Sequence, residues 1–142
     1  MTQRERQWQP VLLGDDVPPP VGAYSPAARA GGFVFVSGQV PRDPVTGALV
    51  GDDIESQTAQ CVANIKRALE SAGASLSDVV SIIVYLADID DWGRFNAAYK
   101  QLMPTPYPTR TAGEYAPTGA GTSGPRVTGC HCRSRCVIYR LH

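Results

Sequence analysis

The chain has 142 residues, 43% of them hydrophobic and 18% charged, with 13 basic against 13 acidic side chains. That length suits one domain with its own core, and the zero net charge argues against a life on nucleic acid or anionic membrane. No apolar run approaches the ~20 residues that span a bilayer, and the polar opening from Met1 to Pro10 lacks the apolar stretch of a signal peptide, so a cytoplasmic protein without export is expected.

In chain order, residues 1–20 read as an extended lead-in. Pro18, Pro19 and Pro20 lack amide donors and fix φ, and Val11–Leu13 offers an edge strand. Two apolar runs, Ala27–Ala30 and Phe33–Ser37, flank Gly31-Gly32. Paired glycines accept the positive φ of a primed hairpin turn. The run Phe33-Val34-Phe35-Val36 suits a strand covered on both faces. Asp43-Pro44-Val45-Thr46-Gly47 is a turn by residue type.

From Ile54 to Ala72 the apolar residues Ile54, Cys61, Val62, Ile65, Ala68, Leu69 and Ala72 recur at three- and four-residue steps, predicting a helix with one buried face. Asp52 with Glu55 resembles a capping box, and Gly73 supplies the stop. Val79–Ala87 reads as a buried strand. Trp92–Met103 reads as a second helix capped by Asp90 or Asp91, with Trp92, Phe95, Tyr99, Leu102 and Met103 inward. Pro104 and Pro106 end it, and Tyr107–Ala116 follows as a strand with Arg110 in its middle. The expected class is mixed α+β, with a domain core over residues 21–117 and a tail over 118–142.

The tail differs in composition. Residues 1–125 hold nine basic and 13 acidic groups, whereas residues 126–142 hold Arg126, Arg133, Arg135 and Arg140 and no acid. Three of the four cysteines, Cys130, Cys132 and Cys136, crowd there with His131, while Cys61 reads as core. The C-x-C-x₃-C spacing is wrong for common zinc sites, so no metal is expected and adventitious oxidation is the simpler fate.

Phosphate-loop, dinucleotide, nucleophile-elbow and zinc-helix signatures are absent from the sequence. Histidine, the usual neutral-pH acid–base, occurs at His131 and His142 alone, so chemistry in residues 1–125 proceeds without it. Arg110, set among apolar and hydroxyl residues, either meets an anion bidentately or lies at the surface. By spacing alone the surface reading, or a pair with an acid such as Glu114, is the simpler one.

Five segments carry a resemblance. Gly22-Ala23-Tyr24-Ser25-Pro26-Ala27, Phe35-Val36-Ser37-Gly38-Gln39-Val40-Pro41, Asp43–Gly47, Asp88–Trp92 with Phe95-Asn96-Ala97-Ala98-Tyr99, and Tyr107-Pro108-Thr109-Arg110-Thr111 stand in family order. Together they resemble the Rid (YjgF-like) reactive intermediate deaminase family over about Pro20 to Glu114. The resemblance implies a chorismate-mutase-like single domain: a mixed sheet with two helices on one face, closed by three subunits around a β-rich centre with clefts between them. It implies hydrolysis of reactive 2-imino or enamine acids to 2-keto acids and ammonia, a detoxifying reaction without a cofactor. The alternative is a non-catalytic binding protein for small carboxylate metabolites at the same cleft. RNA cleavage, attached to some family members, fits least with the neutral charge and the lack of a histidine pair.

Carried over by position, Arg110 anchors the substrate carboxylate, Tyr24 lines the cleft, Ser37 with Gly38 forms the wall beside the imine, and Asn96 is the second-helix asparagine. Ala112 stands where the family often has cysteine, offering backbone but no thiol. An arginine on an open cleft should be removable with little effect on folding. The family's closing strand normally supplies a glutamate for the attacking water, and nothing after Glu114 matches it. If the last strand is Arg133–Tyr139, arginines or serine replace the acids. Either the site works without that carboxylate, or Glu114 replaces it, or the tail is unrelated sequence.

Overall fold

The computed structural model describes residues 7–114 and, as strand backbone, residues 132–136 and 139–140. The Cys130-His131-Cys132 cluster and the glycine-rich segment 118–125 therefore lie outside the described side chains.

The first sheet grows from a meander: β1 (Trp8–Val11), β2 (Ala27–Ala30) and β3 (Phe33–Val36). β2 and β3 close through Gly31 and Gly32, at φ 54° and 80°, as a two-residue primed turn requires. The lead-in strand starts earlier than Val11–Leu13, and Pro10 is tolerated because β1 is an edge. Antiparallel register stacks Val11, Ala27 and Val36 on one face and Pro10, Ala28 and Phe35 on the other. Val34 and Val36 are buried, while Phe33 and Phe35 are each 38% exposed. The expectation that both faces of β3 are covered thus fails within one chain: helices cover one face, and the other presents Trp8, Pro10, Ala28, Ala30, Phe33 and Phe35.

Helix α1 (Ile54–Ser71) follows the predicted apolar face, and Cys61, Ile65, Ala68 and Leu69 are buried. Its cap is Asp53, not Asp52: Ser56 N–H donates to Asp53 Oδ1 at 2.7 Å. Gly73, at φ 78°, ends it, and the Arg29 guanidinium donates to the free Ala72 carbonyl there.

β4 (Ser81–Leu86), α2 (Trp92–Leu102) and β5 (Thr109–Glu114) form a βαβ unit, with β5 parallel to β4. β4 alternates, burying Ile82, Val84 and Leu86 and leaving Ile83 and Tyr85 half-buried, so only one face of that strand enters the core. Asp91 precedes α2 without a side-chain capping bond; Asp88 instead accepts from Asp90 N–H one turn earlier. β6 (Cys132–Cys136) pairs antiparallel with β4, and β7 (Tyr139–Arg140) with β3. Of the stretch Arg133–Tyr139 read as a last strand, residues 133–136 pair with β4 and Tyr139 pairs with β3.

The chain is α+β, with strand orders β1-β2-β3-β7 and β5-β4-β6. β6 lies against β3, and α1 and α2 pack on each other. Among the described residues, no helix is long and apolar enough to cross a membrane.

Candidate active site

Arg110 owes its surroundings to register. It is the partner of Ile82 in the parallel β4–β5 pair, and Ile82 is buried, so Arg110 points to the side of the sheet that α2 covers. There its guanidinium carbon lies 4.7 Å from the centre of the Trp92 ring, 4.6 Å from Tyr99 and 5.6 Å from Phe95. Three ring faces attract the cation through their quadrupoles without neutralising its formal charge. Arg110 Nη2 also donates to Asn96 Oδ1 at 2.8 Å. A guanidinium carries five N–H donors; among the described residues Asn96 is the one side-chain acceptor it meets, and no carboxylate pairs with it.

The pairing with Glu114 does not form. Residues four apart on a strand stand about 13 Å apart, and Glu114 sits at the far end of β5, exposed and opposite Leu86. Ala112 lies between Arg110 and Glu114, half-buried against the core.

The other predicted residues gather at the ends of β2 and β3. Ser37 Oγ donates to the Ser25 carbonyl at 2.5 Å, and Ser37 N–H donates to the Pro26 carbonyl at 2.9 Å. With its proton committed to Ser25, the Ser37 hydroxyl offers a ligand its lone pairs. Gly38 follows, exposed. Tyr24 is 54% exposed, and its ring lies so close to Gly22 that a Cβ there would be 3.4 Å from it.

The chain thus makes two groups, Arg110 with Asn96, and Tyr24 with Ser37 and Gly38. Among the described residues no hydrogen bond or ring contact joins them. The sequence reading placed Trp92, Phe95 and Tyr99 only in a helix core; the signal for their second role was an aromatic i, i+3, i+7 row followed by a strand with one arginine. Among the described residues no cluster of three or more metal-ligating side chains occurs.

A family model for endoribonuclease L-PSP proteins matches residues 15–117. The chain belongs to the endoribonuclease L-PSP family. This is the family of the RutC and Rid proteins, as the five sequence segments suggest. A RutC family protein of Pyrococcus abyssi is 45% identical over 104 residues, spanning 73% of this chain and 82% of that one. Reactive Intermediate Deaminase A, chloroplastic, of Arabidopsis thaliana is 35% identical over 106 residues, 75% of this chain and 57% of that one. Among solved structures, Escherichia coli TdcF with bound serine superposes with a TM-score of 0.78 at 25% identity, covering 94% of this chain and 99% of that one. These L-PSP neighbours share the α+β fold described above.

Proposed function

We propose that the chain hydrolyses reactive 2-imino or enamine acids to 2-keto acids and ammonia, in clefts between subunits of a homotrimer. The observation that carries this reading is Arg110: a half-buried cation with no acidic partner among the described residues, its fork steadied by Asn96 and three rings. Such a group is prepared for a small carboxylate. The serine bound to TdcF carries that group, and the deaminase relative names the reaction class.

In the reaction an enamine first tautomerises to its imine. Water adds to C2, forming a C–O bond as the C=N π pair moves to nitrogen. The added hydroxyl's proton then passes to the amino nitrogen, the oxygen closes a C=O bond as the C–N bond breaks, and the 2-keto acid and ammonia leave. An imine is already electrophilic, so orientation of substrate and water supplies most of what is needed. Arg110 holds the carboxylate through its planar guanidinium fork. Ser37 Oγ, its own proton directed at Ser25, accepts from the imine N–H or the water, and the Gly38 backbone and Tyr24 ring close the wall.

One observation favours the binding-protein alternative: no acid follows Glu114 in the sequence, so β6 supplies no carboxylate to hold the water. An imine generated in situ by an amino-acid oxidase separates the two. Faster loss of imine and release of ammonia with the protein present supports the enzyme. No acceleration, together with binding of a 2-keto acid, supports the binding protein.

A further inference from the structure

Three buried polar side chains, Gln57, Thr58 and Asn64, stand out among the described residues, and all lie on α1. Burying an amide is costly unless it is bonded. Thr58 satisfies itself on its own helix, donating to the Ile54 carbonyl. The other two reach outward. Asn64 Nδ2 donates to the Val40 carbonyl at 3.0 Å and to the Arg42 carbonyl at 2.9 Å, while its Oδ1 accepts from Gln60 Nε2 at 2.8 Å. Gln57 Nε2 donates to the Gly51 carbonyl at 3.1 Å. These carbonyls belong to the connection between β3 and α1, where Arg42 bridges Leu49, Asp43 N–H donates to the Ala48 carbonyl and Val50 N–H donates to the Pro41 carbonyl. The helix therefore adds side-chain donors that tie this connection to α1.

That connection begins at Ser37 and Gly38. Gln39 Nε2 donates to the Ser37 carbonyl at 2.9 Å, and Ser37 is tied onward to Ser25 and Pro26. A continuous set of bonds runs from Asn64 through residues 39–42 to the Ser37 wall. We propose that Asn64 is a positioning residue, fixing the Ser37–Arg42 segment so that the wall beside the imine holds its place relative to the carboxylate anchor. This rests on the deaminase reading for its consequence in turnover, though not for the positioning itself.

The experiment compares wild type with Asn64→Ala and the milder Gln60→Ala, which removes the partner of the Asn64 oxygen from a half-buried position and keeps the protein folded if the first variant does not fold. In folded variants the Ser37 amide should exchange with solvent about tenfold faster relative to the Val84 amide, since a local opening is made easier. With imines as substrate, kcat should fall about tenfold for Asn64→Ala while KM stays within about twofold, because misplacement penalises reacting geometry and the anchor on β5 is untouched. Gln60→Ala should move both readings in the same direction by less. Unchanged Ser37 exchange in folded variants overturns the proposal, as does a loss of turnover that merely follows the folded fraction. If wild type itself lacks deaminase activity, the functional reading fails on that control, and Ser37 exchange still decides the positioning.

Discussion

Replacing Arg110 tests the site most directly, because its two roles predict different readouts. As a carboxylate anchor, its bidentate charge-assisted pair contributes ~1.5–3 kcal/mol. Arg110→Ala should therefore lower kcat/KM about 10- to 150-fold. The structure adds a second effect that an open-cleft arginine would not have. Arg110 bridges β5 to α2 through Asn96 and the Trp92, Phe95 and Tyr99 rings. At ~1 kcal/mol for the hydrogen bond and ~0.5–1 kcal/mol for each of the two nearer rings, Trp92 and Tyr99, its loss should cost about 2–3 kcal/mol of stability. For a domain of this size that is roughly 5–10 °C in Tm. Arg110→Lys separates the two effects. The ammonium still sits against the rings and recovers part of the Tm, yet a point charge does not reproduce the planar fork, so activity recovers less than stability. Kinetics with imines made in situ, normalised to folded protein by calorimetry on the same preparation, give both numbers. A folded Arg110→Ala protein whose kcat/KM stays within threefold of wild type would refute the assignment, as would a lysine variant restoring Tm and activity in proportion.

Two further predictions concern association and acid. Phe35→Lys places a charge on the apolar outer face of β3, leaving the chain's own core untouched; sedimentation should then show a 15.2 kDa monomer, whereas wild type should sediment as a trimer, and a wild-type monomer at micromolar concentration would end the trimer reading. Amide donors from Thr46 and Val45 hold Asp43, and that from Ser56 holds Asp53, below the ordinary 3.8, while a hydrogen bond from Arg67 does the same for Asp16. Stability from these carboxylates is complete above that value and lost as pH falls through their depressed ones, so Tm should decline below about pH 4, and Asp53→Asn should show a shallower decline between pH 4 and 2 than wild type.

What could be read in the sequence was local and periodic. The three- and four-residue steps from Ile54 to Leu69 and the stop at Gly73 needed no tertiary information. The choice of Asp53 over Asp52 turned on a single residue of helical phase: Ile54 is already the first buried helical residue, which makes its predecessor the cap. Arg110 was visible as a charge in an apolar strand, but its direction was not. That depends on β5 pairing in parallel with β4 and putting Arg110 beside Ile82, a contact across 28 residues of sequence. Asn64 was hidden for a similar reason. On a helical wheel it is a polar residue amid an apolar face, and its meaning lies in the carbonyls of Val40 and Arg42.

The division of the candidate site into two groups bears on assembly. Arg110 and Asn96 are held by β5 and α2, whereas Tyr24, Ser37 and Gly38 are held by the ends of β2 and β3. Each group is braced within its own part of the chain, and no described contact links them. An imino acid that needs both an anion anchor and a wall beside its reacting carbon would then draw them from neighbouring subunits, brought together where apolar outer faces such as that of Phe33 and Phe35 meet. On this reading the same exposed phenylalanines that leave a single chain unfinished as a fold also leave it unfinished as an enzyme. A monomeric Phe35→Lys protein that keeps its Tm should therefore lose deamination while retaining the Arg110–Asn96 contact.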